Sequence, residues 1–564
     1  MKERRRREGA AWRGPSRAPP PSSASFSFVL FAFLRFALFA AVAFSTFRLF
    51  GVSFRPVLIS TWPSPAMNAV SGELPVSRRD PAANLPTLQI REAISFPDQV
   101  LLFLKSPSSF PISDLLCLYY PSSPAAAAGR PDLRLPPISS SSPDPLLVRC
   151  PLAPGGFSIS LSTSLDLPPV RPRPWDHLAY AAVFDPRDNS TIVFAKGLNL
   201  RPARLSDPSR YECIFGWNFF KPKYLLTSAA LSAAQEIIRC KTPLSVILRH
   251  RRRSNHDPPL VSVQSKGRGS ITLPSVARPD TILSRRSRRK KEHSMCLCTM
   301  VRNQARFLRE WIVYHTRIGV ERWFIYDNNS DDGIEQVIES MASSSNYNVT
   351  CHSWPWIKTQ EAGFAHCALR ARDHCQWVGF IDVDEFLYLP TDVTLHDVLR
   401  NYSRKPRVGE LRTACHSFGP SGRKTIPLEG VIVGYTCRMN TPERHKSIVR
   451  PEALNPSLIN VVHHFHLKDG MRYVNMDRGV MVINHYKYQA WEVFKEKFYR
   501  RVATYVADWQ DEENVGSKDR APGLGTKAVE PPDWPSRFCE VNDTGLRDWV
   551  LRAFGDPNTG RLPW

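Results

Sequence analysis

The chain has 564 residues, 42% hydrophobic and 23% charged, which is enough apolar material for packed cores and excludes a wholly disordered protein. Its formal net charge of +23 fits nucleic acid, an anionic membrane surface or an acidic substrate. Much of that charge, however, lies in three blocks, the extreme N-terminus, RHRRR (Arg249–Arg253) and RRSRRKK (Arg285–Lys291). No nucleic-acid module is recognisable, so no nucleic-acid partner is expected.

Residues 1–25 form a basic tail, with seven Lys and Arg against two Glu in the first 17 positions. The run FSFVLFAFLRFALFAAVAFSTF, 26–47, follows. As a helix it would extend about 33 Å, enough to cross a bilayer core. Arg35 interrupts it at a cost of about 3 kcal/mol that the many Phe and Leu offset. Positive charge before the span keeps the N-terminus cytosolic and sends the rest into a lumen, as a type II anchor rather than a cleaved signal. Sequons at Asn189, Asn328, Asn348, Asn401 and Asn542 are compatible with that compartment. Twelve cysteines lie between Cys117 and Cys539 without a CxxC pair; some would pair in an oxidising lumen, with the connectivity open.

Residues 48–88, rich in Pro, Ser and Ala, read as a stem. From 89 to 250, short apolar runs such as QVLLFLK, GFSISLS and STIVFAKGL alternate with turn residues, predicting an antiparallel β accessory domain that binds glycan or acts as a spacer. Residues 251–291, basic and without apolar period, read as a linker.

From 292 to 564 the texture is α/β. MCLCTMV, ERWFIYD, NVTCHSW and WVGFID read as strands, separated by the helical ARFLREWIVYHTRIG, IEQVIESMA and EAGFAHCALRARDHC. This alternation predicts a mostly parallel, Rossmann-like sheet with ligands at the carboxyl ends of its strands. Arg302, Asn303, Asp327, Asn328, Asp382 and Asp384 all fall there. In extended chain Asp382 and Asp384 share a face and Glu385 takes the other. Paired carboxylates suit Mg²⁺ or Mn²⁺ and the phosphates such ions carry. Neither GxGxxG nor GxxxxGK[ST] follows the first strand, so a nucleotide would be gripped through metal and side chains. His464 and His466 could share a strand face, but no zinc partner pattern accompanies them, and Trp354 and Trp356 suit either sugar stacking or core packing.

Five blocks in order, CTMVRNQARFLREWIVYHTRIGVERWFIYDNNSDD, WPWIKTQEAGFAHCALRARDHCQWVGFIDVDEFLY, CHSFGPSGRK, ERHKSIVRPEAL and INHYKYQAWEVFKEKF, resemble the plant branch of glycosyltransferase family 92 over about residues 294–512. The accessory region is more weakly similar to the carbohydrate-binding-type domain of that family's galactan β-1,4-galactosyltransferases. The resemblance implies a GT-A fold and inverting transfer from a UDP-sugar, with galactose as the sugar. It implies Asp382 and Asp384 as the DxD pair holding Mn²⁺ and the diphosphate, His485 as a further metal ligand by position, and Asp327 near the uridine. Lys446 lies in the block that meets the phosphates. HSFGPSG would be an acceptor loop, with His416, Phe418, Gly419 and Ser421. Inversion needs a base near the acceptor hydroxyl; Glu429, which follows that loop, is the choice, with Glu410 and Glu385 open. The expected protein is a Golgi type II enzyme extending a cell-wall polysaccharide, a homodimer being open. The alternative is an inactive lumenal glycan-binding scaffold.

Overall fold

The structure is a computed structural model that describes residues 89–505 and 529–564, apart from the stretches 106–110, 122–130, 139–143, 153–156, 163–167, 199–204, 218, 220–221, 253–257, 268–269, 282–290 and 345–346. The expected tail, membrane span and stem lie outside the described residues. Among those described, no helix is long and apolar enough to cross a membrane.

The region from 89 to 280 forms two β units. In the first, the strands Ile90–Ser95, Gln99–Leu104 and Leu147–Pro151 pack against Leu116–Pro121 and Phe157–Ser162. Leu102, Tyr119, Ile159 and Leu161 fill the core between them, and a disulfide joins Cys117 to Cys150. In the second, one sheet places Leu260–Ser265 beside Tyr211–Gly216, then Leu226–Ala234, Ile237–Lys241, Ser190–Ala195 and Ala179–Asp185, with Cys213 bonded to Cys240. Asn189 at the tip of one hairpin takes φ 53°, a left-handed turn that asparagine tolerates better than most residues. The expected linker at 251–291 is corrected here. Leu260–Ser265 and Pro279–Asp280 are strands of this sheet. The alternating Val261 and Val263 are fully buried in its core. Flanking arginines hid that short period-2 signal.

The α/β region is built on a mixed sheet. Its principal elements are β1 (His293–Val301), α1 (Ala305–Ile318), β2 (Arg322–Asp327), α2 (Ile334–Ser344), β3 (Val349–Ser353), α3 (Gln360–Ala371), β4 (Cys375–Phe380), β5 (Glu385–Tyr388), α4 (Leu395–Ser403), β6 (Val408–Ser417), β7 (Arg444–Val449), β8 (Arg472–Asn475), β9 (Val482–His485), α5 (Trp491–Tyr505) and α6 (Gly545–Phe554). The strand order is β3-β2-β1-β4-β7-β6-β9-β5, with β8 pairing β6. β3, β2, β1 and β4 run parallel; β7 runs antiparallel to both β4 and β6, and β9 runs parallel to β6.

Both faces of this sheet are buried, which is why its first strands read as unbroken apolar runs. Met295, Leu297 and Val301 of β1 and Trp323 and Ile325 of β2 pack with α1 and α2. The alternate residues Cys296, Cys298, Phe324 and Tyr326 face the other way, into a core that joins α3 to Ile94, Phe96, Leu101, Phe103, Tyr180 and Phe194. The β region therefore covers the sheet's second face and shares its core. Arg372 bonds both carboxylate oxygens of Asp185, at 2.8 and 2.9 Å, and reinforces the seam. Cys296–Cys375 and Cys298–Cys367 bind β1 to β4 and α3.

Candidate active site

β4 ends at Phe380, so Asp382 and Asp384 lie in a turn rather than in a strand, and Glu385 opens β5. The amide of Glu385 donates to the Asp382 carbonyl at 3.0 Å and closes that turn. The opposite-face expectation for Glu385 is thereby overturned. Its side chain is fully buried and folds back, one oxygen accepting from the Asp382 amide at 2.9 Å. Phe386 and Leu387 then return to the core.

All three acids meet one set of cations. Lys446 of β7 places Nζ 3.2 Å from Asp382 Oδ2 and 2.7 Å from Glu385 Oε1. Its third contact, 2.6 Å to His463 Nε2, makes that nitrogen an acceptor. The opposite Nδ1–H of His463 then donates to the Phe380 carbonyl at 2.7 Å, which fixes a neutral ring. His485 at the end of β9 bridges the other two acids, with Nε2 3.4 Å from Asp384 and Nδ1 3.5 Å from Glu385. Lys497 of α5 pairs with Asp384.

Burial opposes ionisation throughout this cluster, but the outcomes differ. At Asp382 burial is outweighed by Lys446 together with His463 and His485, which hold that carboxyl at about 2. Lys497 and His485 hold Asp384 well below the usual carboxylate range. Glu385 is pushed up, because burial and the neighbouring aspartates outweigh Lys446. Two aspartates thus stand ionised over a glutamate that resists ionisation.

Two cavities share this cluster as a wall. The first, about 190 Å³, is bounded by the ends of β1 and β2 (Arg302, Asn328), the loop Trp356–Gln360, Asp382, Asp384, His485 and Lys497. The second, about 450 Å³, takes its walls from Ser417, Glu443–Lys446, Val461–His464 and Lys487. Gln360, Asp382 and His485 line both.

The structure brings together only part of the residues singled out in the sequence. Arg302, Asn328, Asp382, Asp384 and His485 share the first cavity, and Lys446 lies behind Asp382 at the edge of the second. Asp327 is instead a turn-former: it is buried and accepts the Ser330 amide at 3.1 Å, and burial raises its pKa. Asn303, at φ 53°, accepts the Asp331 amide at 2.9 Å and pins the same turn from β1. Asn328 spends its side-chain amide on the carbonyls of Trp354 and Trp356, at 2.7 and 3.0 Å, and is too buried to carry a glycan as folded. Trp354 and Trp356 are core residues against Tyr180, the latter also facing the first cavity.

Of the expected acceptor loop, Ser417 lines the second cavity, whereas His416, Phe418, Gly419 and Ser421 line neither. Phe418 is buried against Tyr486, ring centroids 4.7 Å apart. A Cβ at Gly419 would meet the Arg537 carbonyl at 2.5 Å, and Ser421 accepts the amides of Thr436 and Cys437. His416 is buried beside Arg438. Glu429 lies at the surface, paired with Arg423 at 2.7 Å, and lines neither of these two cavities. Of the two open alternatives, Glu410 is committed to Arg412, Ser447 and His464, and Glu385 to Lys446. Sequence reasoning missed Lys497 and Glu443. Both lie inside blocks quoted above, Glu443 at the start of ERHKSIVRPEAL and Lys497 near the end of INHYKYQAWEVFKEKF, but their residue types alone did not mark them out from their charged neighbours.

Residues 291–515 match the family model of glycosyltransferase family 92. A glycosyltransferase family 92 protein of Oryza sativa subsp. japonica is 60% identical over 549 residues, covering 94% of this chain and 92% of its own. One of Ricinus communis is 54% identical across the whole of both chains. The chain belongs to glycosyltransferase family 92. A galactan β-1,4-galactosyltransferase of Arabidopsis thaliana is 30% identical over 126 residues, 20% of this chain and 24% of that one. Among solved structures, GalNAc-T7 with UDP, GalNAc and Mn²⁺ aligns with 36% of this chain and 45% of its own at 9% identity and a TM-score of 0.24, too remote to bear on function.

Proposed function

We propose that this chain is an inverting, metal-dependent glycosyltransferase of GT-A type that moves galactose from a UDP-sugar to a cell-wall polysaccharide. The observation that carries the reading is that Asp382, Asp384 and His485 line the first cavity together, with Asp382 and His485 also lining the second. The smaller cavity, at the carboxyl ends of parallel strands, suits the donor; the larger suits a glycan. Two carboxylates and an imidazole form a donor set fit for Mn²⁺ or Mg²⁺. The Lys497 ammonium against Asp384 marks the spot as one that attracts a cation.

Asp382, Asp384 and His485 would hold the metal, which when bound neutralises the charge gathering on the departing diphosphate. Arg302 adds positive charge at the mouth of the donor cavity. Lys446 keeps Asp382 ionised whether or not metal is present. Five disulfides among the described residues favour an oxidising compartment, in line with a Golgi lumen reached through an N-terminal anchor. A glycan-binding scaffold without activity is the second reading; the two lysines already neutralising the aspartates favour it.

The test offers the full chain several UDP-sugars with Mn²⁺ and galactan oligosaccharides, with Asp384→Asn alongside. Metal-dependent transfer that falls by about 100-fold or more in the variant is the expected result. Absence of both transfer and Mn²⁺-dependent UDP binding would leave the scaffold reading standing.

A further inference from the structure

We infer that Glu443 is the general base and that the second cavity is where the acceptor hydroxyl meets it. This rests on the transferase reading above and adds the residue and the place. Glu443 and Asp382 are the two carboxylates among the residues that line the second cavity, and Asp382 is committed to Lys446 and the metal position. Glu443 is partly exposed and faces open space at the start of β7.

Sheet register places it beside the metal position. Glu443 Oε2 accepts from Ser417 Oγ at 2.8 Å. Ser417 stands opposite His485 in the parallel pair β6–β9, and His485 stands opposite Glu385 in β9–β5. Neighbouring strands lie about 4.8 Å apart. Glu443 is therefore hydrogen-bonded to the strand next to the one that carries His485, and both Ser417 and His485 line the second cavity.

Three groups orient the carboxylate. Lys487 Nζ donates to Oε2 at 2.8 Å and the Tyr488 hydroxyl to Oε1 at 3.3 Å, in addition to Ser417. Burial opposes ionisation, but the Lys487 and Ser417 hydrogen bonds outweigh it, so the group stands as a carboxylate. The histidines of the cavity are worse placed. His463 has both ring nitrogens engaged. His445 stands opposite Ala414, three residues back from Ser417 along β6 and so about 10 Å from the level of His485.

In the step, the acceptor oxygen forms a bond to the anomeric carbon and passes its proton to Glu443. The bond from that carbon to the diphosphate oxygen breaks, and its electron pair leaves with UDP. The proton later returns to solvent. No oxidant or reductant is involved.

The test uses the full chain with the UDP-sugar and acceptor that it turns over. Glu443→Gln should lower kcat by about 10²- to 10⁴-fold while Mn²⁺-dependent UDP affinity stays within about threefold. Glu443→Asp, which keeps a carboxylate, should recover part of the rate, and Glu429→Gln should match the unsubstituted chain. Transfer by Glu443→Gln within tenfold of that chain overturns the assignment, as does loss of UDP affinity in both Glu443 variants, which would make the residue structural. Failure of the unsubstituted chain to bind UDP or transfer sugar would instead refute the transferase reading.

Discussion

Trp356→Ala tests whether the β region and the α/β region are one cooperative structure. Trp356 lies between them, 6% exposed, with its ring centroid 5.0 Å from Tyr180, 5.8 Å from Phe103 and 6.2 Å from Phe96. Burying a tryptophan removes roughly 150–250 Å² from water, worth about 4–6 kcal/mol at 25 cal/mol per Å². Truncation to alanine in a packed core costs about 3–5 kcal/mol once partial collapse is allowed for. The carbonyl of Trp356 also accepts from Asn328 and Thr359, so the variant should loosen the donor cavity wall. Urea unfolding of the full chain, followed by far-UV dichroism and tryptophan fluorescence, should show both regions melting in one transition. The variant should move that transition by 3 kcal/mol or more. A loss under about 1 kcal/mol, or two separate transitions in the unsubstituted chain, would refute the shared core.

Lys446→Met should cost about 3–5 kcal/mol in metal-free urea unfolding, because it strips Glu385 of a buried cation; a loss under about 1 kcal/mol would contradict the ion-pair geometry. Glu310, buried in α1, accepts the amides of Val431 and Ile432 at 2.8 and 2.9 Å, yet burial pushes its carboxyl up to about 7 from an ordinary value of 4.5. Its contribution to stability is full below pH 4.5 and is lost as pH rises through about 7, a change of about 3 kcal/mol that Glu310→Gln should flatten in pH-dependent melting. The pairing leaves Cys351 and Cys415 free, so a thiol reagent under non-reducing, denaturing conditions should label those two positions and none of the other ten of the twelve cysteines.

Much of the α/β region could be read from the sequence, because strands and helices there announce themselves by local period. MCLCTMV, ERWFIYD and the helix beginning ARFLREW lie where the pattern puts them, and the DVD turn follows its strand at the rim. Residue type alone also made the rim acids stand out, since adjacent carboxylates after an apolar run need a cation or solvent. Local pattern could not show what meets them, and the family resemblance pointed only to His485 and Lys446. Lys446, His485 and Lys497 come from β7, β9 and α5, and only pairing in register sets them beside Asp382, Asp384 and Glu385. The expected base met the same limit. Glu429 is near the expected acceptor loop along the chain but pairs with Arg423 at the surface, whereas Glu443 lines the second cavity and accepts from Ser417. Composition likewise divided the chain into accessory domain, linker and catalytic domain, as if each were self-contained. The tertiary structure joined the first and the last, because a sheet apolar on both faces must be covered on both, and the β units supply the second cover.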